Sequence, residues 1–158
     1  MTTNICIAGA TGWVGKPLCD AIAGADDLRL VGAVARSYAG QNLRDVLGNP
    51  RLDLRISGSV AAALETPTDV LVDYTSAAAV RDNVLAAVER GVHVVVGSSG
   101  LTEEDYAAID QAALAHKVGV IAAGNFSITA VLLERFACEA ARYLAQWEIV
   151  DYASDAKI

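Results

Sequence analysis

The stretch Ile5-Cys6-Ile7-Ala8-Gly9-Ala10-Thr11-Gly12-Trp13-Val14-Gly15 decides how this chain is read. Its first four residues are apolar and fit a short buried strand. The glycines then recur as GxxGxxG. Residues 16–23 follow as a helix, with Val14, Leu18, Ala21 and Ile22 on one face and Pro17 in a first turn that tolerates it. A strand, a glycine turn and a helix start in that order form a phosphate cradle, because the first N–H groups of a helix lack acceptors. One glycine permits the tight turn, one lets the backbone approach an anion, and one lets the helix pack close to the strand. Thr11 stands where the stricter GxGxxG spacing has its second glycine. Taken alone, the pattern also fits a glycine-rich turn with no ligand.

Beyond residue 24 the chain alternates strand-like and helix-like segments. Strands are expected at 28–35, 69–74, 93–96 and 118–122, and helices at 60–64, 77–90, 102–115 and 128–144. Gly91 stops one helix, and Thr102 caps another ahead of Glu103, Glu104 and Asp105. Residues 39–50 read as a loop with a helical turn, 56–59 as a weak strand, and 147–153 as a last strand-like piece. This alternation predicts an α/β fold with a Rossmann-like, doubly wound parallel sheet, and the start of a second α/β domain. The expected division is 1–127 for a dinucleotide-binding domain and 128–158 for a linking helix and the first strand of a truncated substrate domain. The apolar helix at 128–144 is suited to packing, to linking two domains or to an assembly interface.

The chain has 158 residues, enough for one domain with a real core. Its net charge of −7 argues against a nucleic-acid partner but leaves room for an anionic cofactor in a local cradle. Hydrophobic content is 54%, yet no stretch reads as a membrane span, and Met1-Thr2-Thr3-Asn4 carries no basic lead into an apolar segment. A cytoplasmic protein without membrane attachment is expected. Cys6, Cys19 and Cys138 are three widely spaced residues that suggest buried apolar positions in a reducing compartment, with no disulfide framework and no metal site. His93 and His116 stand apart from any other ligating residue.

In an open parallel sheet, ligands lie at the carboxyl ends of the strands. That rule brings five turns together: the Gly9–Gly15 loop, Ala35-Arg36-Ser37, Tyr74-Thr75-Ser76, Gly97-Ser98-Ser99-Gly100 and Gly124-Asn125-Phe126. They are rich in glycine and hydroxyl groups, which suit ribose and amide contacts. An enzyme selective for NAD usually has an acid at the end of the second strand. Arg36 and Ser37 suit a 2′-phosphate instead, so NADPH is the expected cofactor, with NADH as the alternative. A solvated surface arginine is the competing account of Arg36.

Several segments in order resemble the dihydrodipicolinate reductase family of lysine and diaminopimelate biosynthesis. Gly9-Ala10-Thr11-Gly12-Trp13-Val14-Gly15 resembles its cofactor loop. Val72-Asp73-Tyr74-Thr75 is similar to its Asp-Phe-Thr turn. Gly97-Ser98-Ser99-Gly100 stands for its Gly-Thr-Thr-Gly, Ala123-Gly124-Asn125-Phe126-Ser127 for its Ala-Asn-Phe-Ser, and Glu148-Ile149-Val150 for the entry into its substrate domain. The resemblance implies an NAD(P)H-dependent reductase of a small cyclic imine or unsaturated dicarboxylate. Gly9, Thr11, Gly12, Trp13, Val14, Arg36, Ser37, Tyr74, Thr75, Gly97, Ser98, Ser99, Ala123, Gly124, Asn125 and Phe126 would bind the cofactor. Lys157, which matches a family lysine, would be catalytic, taking a substrate carboxylate and assisting protonation. The implied partner is a small-molecule substrate, and the implied assembly a homo-oligomer, a tetramer where the whole substrate domain is present.

Three departures qualify the resemblance. Trp13 replaces a residue that is often basic in the family's glycine loop. Ala153 and Ser154 occupy the places of a His-His pair implicated as proton donor, and neither acts as an efficient general acid near neutral pH. The family continues into an Asp-Ala-Pro-Ser-Gly-Thr loop and a substrate domain that these 158 residues do not include. Two alternatives stay open: a related imine or amino-acid dehydrogenase, and a non-catalytic NADP-binding regulator like the NmrA-like redox sensors. A short-chain dehydrogenase would need Tyr-x-x-x-Lys. Tyr38, Tyr74, Tyr106, Tyr143 and Tyr152 all lack that lysine.

Overall fold

The computed structural model of the chain describes residues 1–123 and 126–150, which form two compact units, Met1–Gly124 and Asn125–Ile158. The first unit is built on a five-stranded, all-parallel sheet: β1 (Thr3–Ala8), β2 (Leu28–Val34), β3 (Val70–Asp73), β4 (His93–Val96) and β5 (Val120–Ala122). The spatial order is β2-β1-β3-β4-β5, so the order reverses at β1. The helices between them are α1 (Gly15–Gly24), α2 (Leu43–Leu47), α3 (Val60–Ala63), α4 (Ala77–Val88) and α5 (Glu103–His116), with a 3-10 turn at Arg36–Tyr38.

Side-chain alternation along β1 shows why both faces are covered. Ile5 and Ile7 join a core with Cys19 and Ile22 of α1 and Leu43 of α2. Cys6 and Ala8 face the opposite way, into a core with Val60 of α3, Val80, Val84 and Val88 of α4, and Ile109 of α5. This is the doubly wound, Rossmann-like arrangement expected from the alternation of elements.

Local signals account for most element ends. Thr102 and Asp105 form a reciprocal capping box at α5, with Thr102 N–H donating to Asp105 Oδ2 at 2.9 Å and Asp105 N–H to Thr102 Oγ1 at 3.2 Å. Thr102 N–H and Thr102 Oγ1–H, which also donates to Asp105 Oδ2 at 2.9 Å, then the Arg81 guanidinium, hold the Asp105 carboxyl below its ordinary range. That support is complete above the unfolded carboxyl pKa and is lost as pH falls through the lower folded value. Residues 39–50, read as mostly loop, contain α2 because the Asn42 side chain accepts the Arg44 N–H at 2.9 Å and starts a helix. The weak strand at 56–59 is reduced to a single bridge between Val34 and Ser57.

The second unit contains α6 (Ile128–Ala141), which buries none of its residues. Cys138, expected to be buried, is exposed there, whereas Cys6 and Cys19 are buried. The reason is that no second element among the described residues of this unit covers the helix. The strand expected at 147–153 does not form over residues 147–150, because no neighbouring strand among the described residues takes its backbone groups. Its remainder lies outside the described residues. Among the described residues no helix is long and apolar enough to cross a membrane.

Leu71 is fully buried in the middle of β3, between the β1 and β4 ladders. Leu71→Ala is expected to lower unfolding free energy by about 2–5 kcal/mol in urea denaturation. A loss below about 1 kcal/mol would contradict this account of the core.

Candidate functional site

The glycine loop is held mostly by backbone hydrogen bonds, with Cys19 Sγ–H donating to Ala10 O at 3.8 Å from α1. Gly9 and Ala10 N–H groups donate to Val34 O at 2.9 and 3.1 Å, tying the loop to the end of β2. Gly12 N–H donates to Gly9 O at 2.9 Å and Lys16 N–H to Gly12 O at 3.0 Å. The N–H groups of Thr11, Trp13 and Val14 take no backbone acceptor among the described residues, so they are available to an anion.

Space explains the glycines. A Cβ on Gly15 would stand 2.0 Å from Gly9 O, which is how closely the start of α1 crosses the loop. A Cβ on Gly9, whose φ is +85°, would stand 2.3 Å from the carbonyl oxygen of Tyr74. At Gly12 the nearest atom is again Gly9 O, at 3.1 Å. The loop is therefore squeezed between the start of α1 and the turn after β3.

Around it lies a cleft of about 440 Å³ at the carboxyl ends of β1, β2 and β3. Gly9, Thr11 and Gly12 line it from the loop, and Val34, Ala35, Arg36 and Ser37 from the end of β2. Tyr74, Thr75 and Ser76 line it from the turn after β3. The lining contains no acidic side chain, in a protein with 19 of them, and Arg36 is its one formal charge. An anion is favoured there against the sign of the whole molecule.

Sequence reasoning missed six of the lining residues: Gly58, Ser59, Val60, Ala79, Asn83 and Val34. The first three are carried in by the Val34–Ser57 bridge and by Ser59, whose Oγ accepts the Ala62 N–H at 3.3 Å and caps α3. Of the other expected site residues, Trp13 stands off the loop at 80% exposure, and Val14 is also exposed. Gly97, Ser98, Ser99 and Ala123 belong to the turns after β4 and β5 and do not line this cleft. Gly97 packs under Tyr74, whose ring carbons would lie 2.1–2.2 Å from a Cβ there. Phe126 is an exposed residue of the second unit. Gly124, Asn125 and Lys157, with Ala153 and Ser154, lie outside the described residues.

Directly beneath the cleft, Asp73 is fully buried at the end of β3. Its Oδ1 accepts Thr75 N–H at 3.0 Å, Thr75 Oγ1–H at 2.7 Å and Ser98 Oγ–H at 2.6 Å. Its Oδ2 accepts Asn83 Nδ2–H at 2.8 Å. A hydrogen bond to a charged group contributes about 1.5–3 kcal/mol, so four such donors offset a carboxylate desolvation cost of several kcal/mol. Nearby Cys6 is pushed up to about 12, by burial first, then by Cys19 and the Asp73 charge, and so stays a thiol. His93 uses its Nδ1 to accept Gly119 N–H at 2.8 Å, a link from β4 to the segment entering β5. Among the described residues no group of three or more acidic, Cys or His side chains could hold a metal ion.

A family model described as "Dihydrodipicolinate reductase, N-terminus" matches residues 3–126. A 4-hydroxy-tetrahydrodipicolinate reductase of Syntrophomonas wolfei is 37% identical over 156 residues, covering 98% of this chain and 59% of that protein. Its counterpart in Moorella thermoacetica is 35% identical over 158 residues, covering 99% of this chain and 59% of its own length. The chain thus spans about three fifths of the length of these curated relatives. Among solved structures, a dipicolinate-bound dihydrodipicolinate reductase from Paenisporosarcina sp. TG-14 superposes with a TM-score of 0.74 at 25% identity. That match covers 90% of this chain and 55% of the other.

The geometry of the loop makes a stability comparison informative. Gly48, with φ +73°, has open space around a Cβ, so Gly48→Ala is expected to cost about 1–2 kcal/mol for its left-handed backbone. Gly9→Ala adds a collision with backbone and is expected to lose clearly more in chemical denaturation. Equal losses would contradict the close approach of the loop to the β3 turn.

Proposed function

The chain belongs to the dihydrodipicolinate reductase family, and we propose that it is the cofactor-binding part of a 4-hydroxy-tetrahydrodipicolinate reductase-like enzyme that uses NADPH. The observation that carries this reading is the acid-free cleft at the sheet's reversal point, lined on one wall by the glycine loop, where Thr11 N–H takes no backbone acceptor, and on another by Arg36. A pyridine dinucleotide fits those residues: a diphosphate suits the Gly9–Gly15 loop and the start of α1. A 2′-phosphate suits Arg36 and Ser37, a guanidinium and a hydroxyl, where an NAD-selective site would offer a carboxylate.

When bound, the reduced nucleotide supplies the hydride for an electron-poor carbon of a cyclic imine or unsaturated dicarboxylate. The contribution of this chain is orientation and electrostatics. Thr75, Gly97 and Ser98, on the β3 and β4 side of the loop, are proposed to orient the nicotinamide half. Ala123, Gly124, Asn125 and Phe126 are proposed as cofactor contacts on their match to the family's Ala-Asn-Phe-Ser segment. Lys157 is proposed, on its match to the family lysine, to receive a substrate carboxylate. Ala153 and Ser154 have no group suited to deliver a proton near neutral pH, so the donor is assigned to water or to another part of the enzyme.

Arg36→Ala separates the two nucleotides. Titration of the chain with each, followed by nicotinamide fluorescence, is expected to show NADPH binding weakened about tenfold or more, with NADH changed less than about twofold. Equal loss for both would remove the 2′-phosphate assignment. For the reaction, oxidation of NADPH should accompany 4-hydroxy-tetrahydrodipicolinate reduction by the enzyme that contains this chain. Binding without turnover across cyclic imines would favour the regulator instead.

A further inference from the structure

We propose that Asp73 is a positioning residue, whose buried carboxylate locks the turns after β3 and β4 into the arrangement that receives the nicotinamide half of the cofactor. The proposal rests on the pyridine-nucleotide reading above.

Asp73 is the one buried polar or charged residue among the described residues. Leu71, two positions earlier on the same strand face, is fully buried among apolar neighbours. An apolar residue at 73 would suit the same core, and such replacements of buried charge are often neutral or stabilising. The carboxylate therefore needs a reason beyond stability.

Its partners supply one. Every donor it accepts is neutral, and the four come from three different parts of the fold. Thr75 belongs to the turn after β3, Asn83 to α4, and Ser98 to the turn after β4. Asn83 also donates to Thr75 Oγ1 at 3.3 Å, and Gly97 N–H donates to Asp73 O at 2.9 Å. One side chain thus sets the relative position of two turns and a helix. Thr75 and Asn83 line the cleft directly.

The sheet order says which part of a dinucleotide those turns would meet. With the diphosphate at the β1 loop, β2 lies on one side and β3 and β4 on the other. Arg36 and Ser37 take the adenosine side, at the end of β2, and the Asp73 cluster takes the opposite side. Loosening that cluster should weaken the nicotinamide contacts and spare the adenosine phosphate contacts.

The test measures two probes on the same chain: NADPH, and adenosine 2′,5′-bisphosphate, which lacks the nicotinamide half. Asp73→Ala is expected to weaken NADPH about tenfold and to change the bisphosphate less than about twofold. Asp73→Asn is expected to recover most of the affinity, because the Asn83 carboxamide can turn over and accept from the new amide. Should Asp73→Ala fail to fold, Ser98→Ala removes one donor and is expected to weaken NADPH about threefold with the bisphosphate unchanged. Parallel loss of both probes, no loss of either, or an Asp73→Asn as weak as Asp73→Ala would overturn the proposal. A wild-type chain that binds neither probe would instead overturn the cofactor reading itself.

Discussion

Where the chain leaves β1, backbone segments pass closer together than side chains would allow. Gly9 turns with φ +85°, under the Tyr74 carbonyl on one side and the start of α1 on the other. A Cβ on Gly9 would meet the Tyr74 carbonyl and a Cβ on Gly15 would meet Gly9 O, so the loop is glycine by necessity of space as well as of the backbone angle at Gly9. What this achieves is a crossing of three segments in a volume with no side chains. The N–H groups of Thr11, Trp13 and Val14 are left without backbone acceptors among the described residues, at a helix start whose dipole favours negative charge. The same crossing ties the loop to β2 through Val34 O and to the β3 turn, so the three walls of the cleft hold one another.

A negatively charged protein that binds an anion has to solve the problem locally. Here the acids are distributed away from the cleft and Arg36 is placed on its β2 wall. Asp73 is the instructive exception. It lies just beneath the lining, but its oxygens are occupied by four donors. A carboxylate saturated in this way acts as a scaffold for hydroxyl and amide groups rather than as an open negative site.

Much of the fold was legible because its signals are local. The β-branched run His93-Val94-Val95-Val96, the glycine at 91 and the Thr102 cap each report on their own neighbours, and each element formed where they indicated. Arg36 and Thr75 were legible as neighbours at the strand ends, and both line the cleft, because strand ends converge by topology alone. The Asp73 cluster was not, since its side-chain bonds join residues 10 and 25 positions apart. Gly58 to Val60 were missed for a related reason: the segment read as a weak strand at 56–59 reaches the cleft by a single bridge to β2, a partner 23 positions away that its own residues do not indicate. The strand expected from residue 147 shows the reverse error. Alternating apolar residues such as Trp147 and Ile149 state a preference for extended backbone, but a strand also needs a partner.

The central claim is that the exit of β1 holds a dinucleotide diphosphate on its backbone amides. Amide NMR of the isotope-labelled chain during NADPH titration reads those groups one by one. The account predicts saturable shifts that are largest at the amides of residues 11–15, with further shifts at Arg36, Ser37 and Thr75. Shifts concentrated elsewhere, or none at saturating nucleotide, would contradict it.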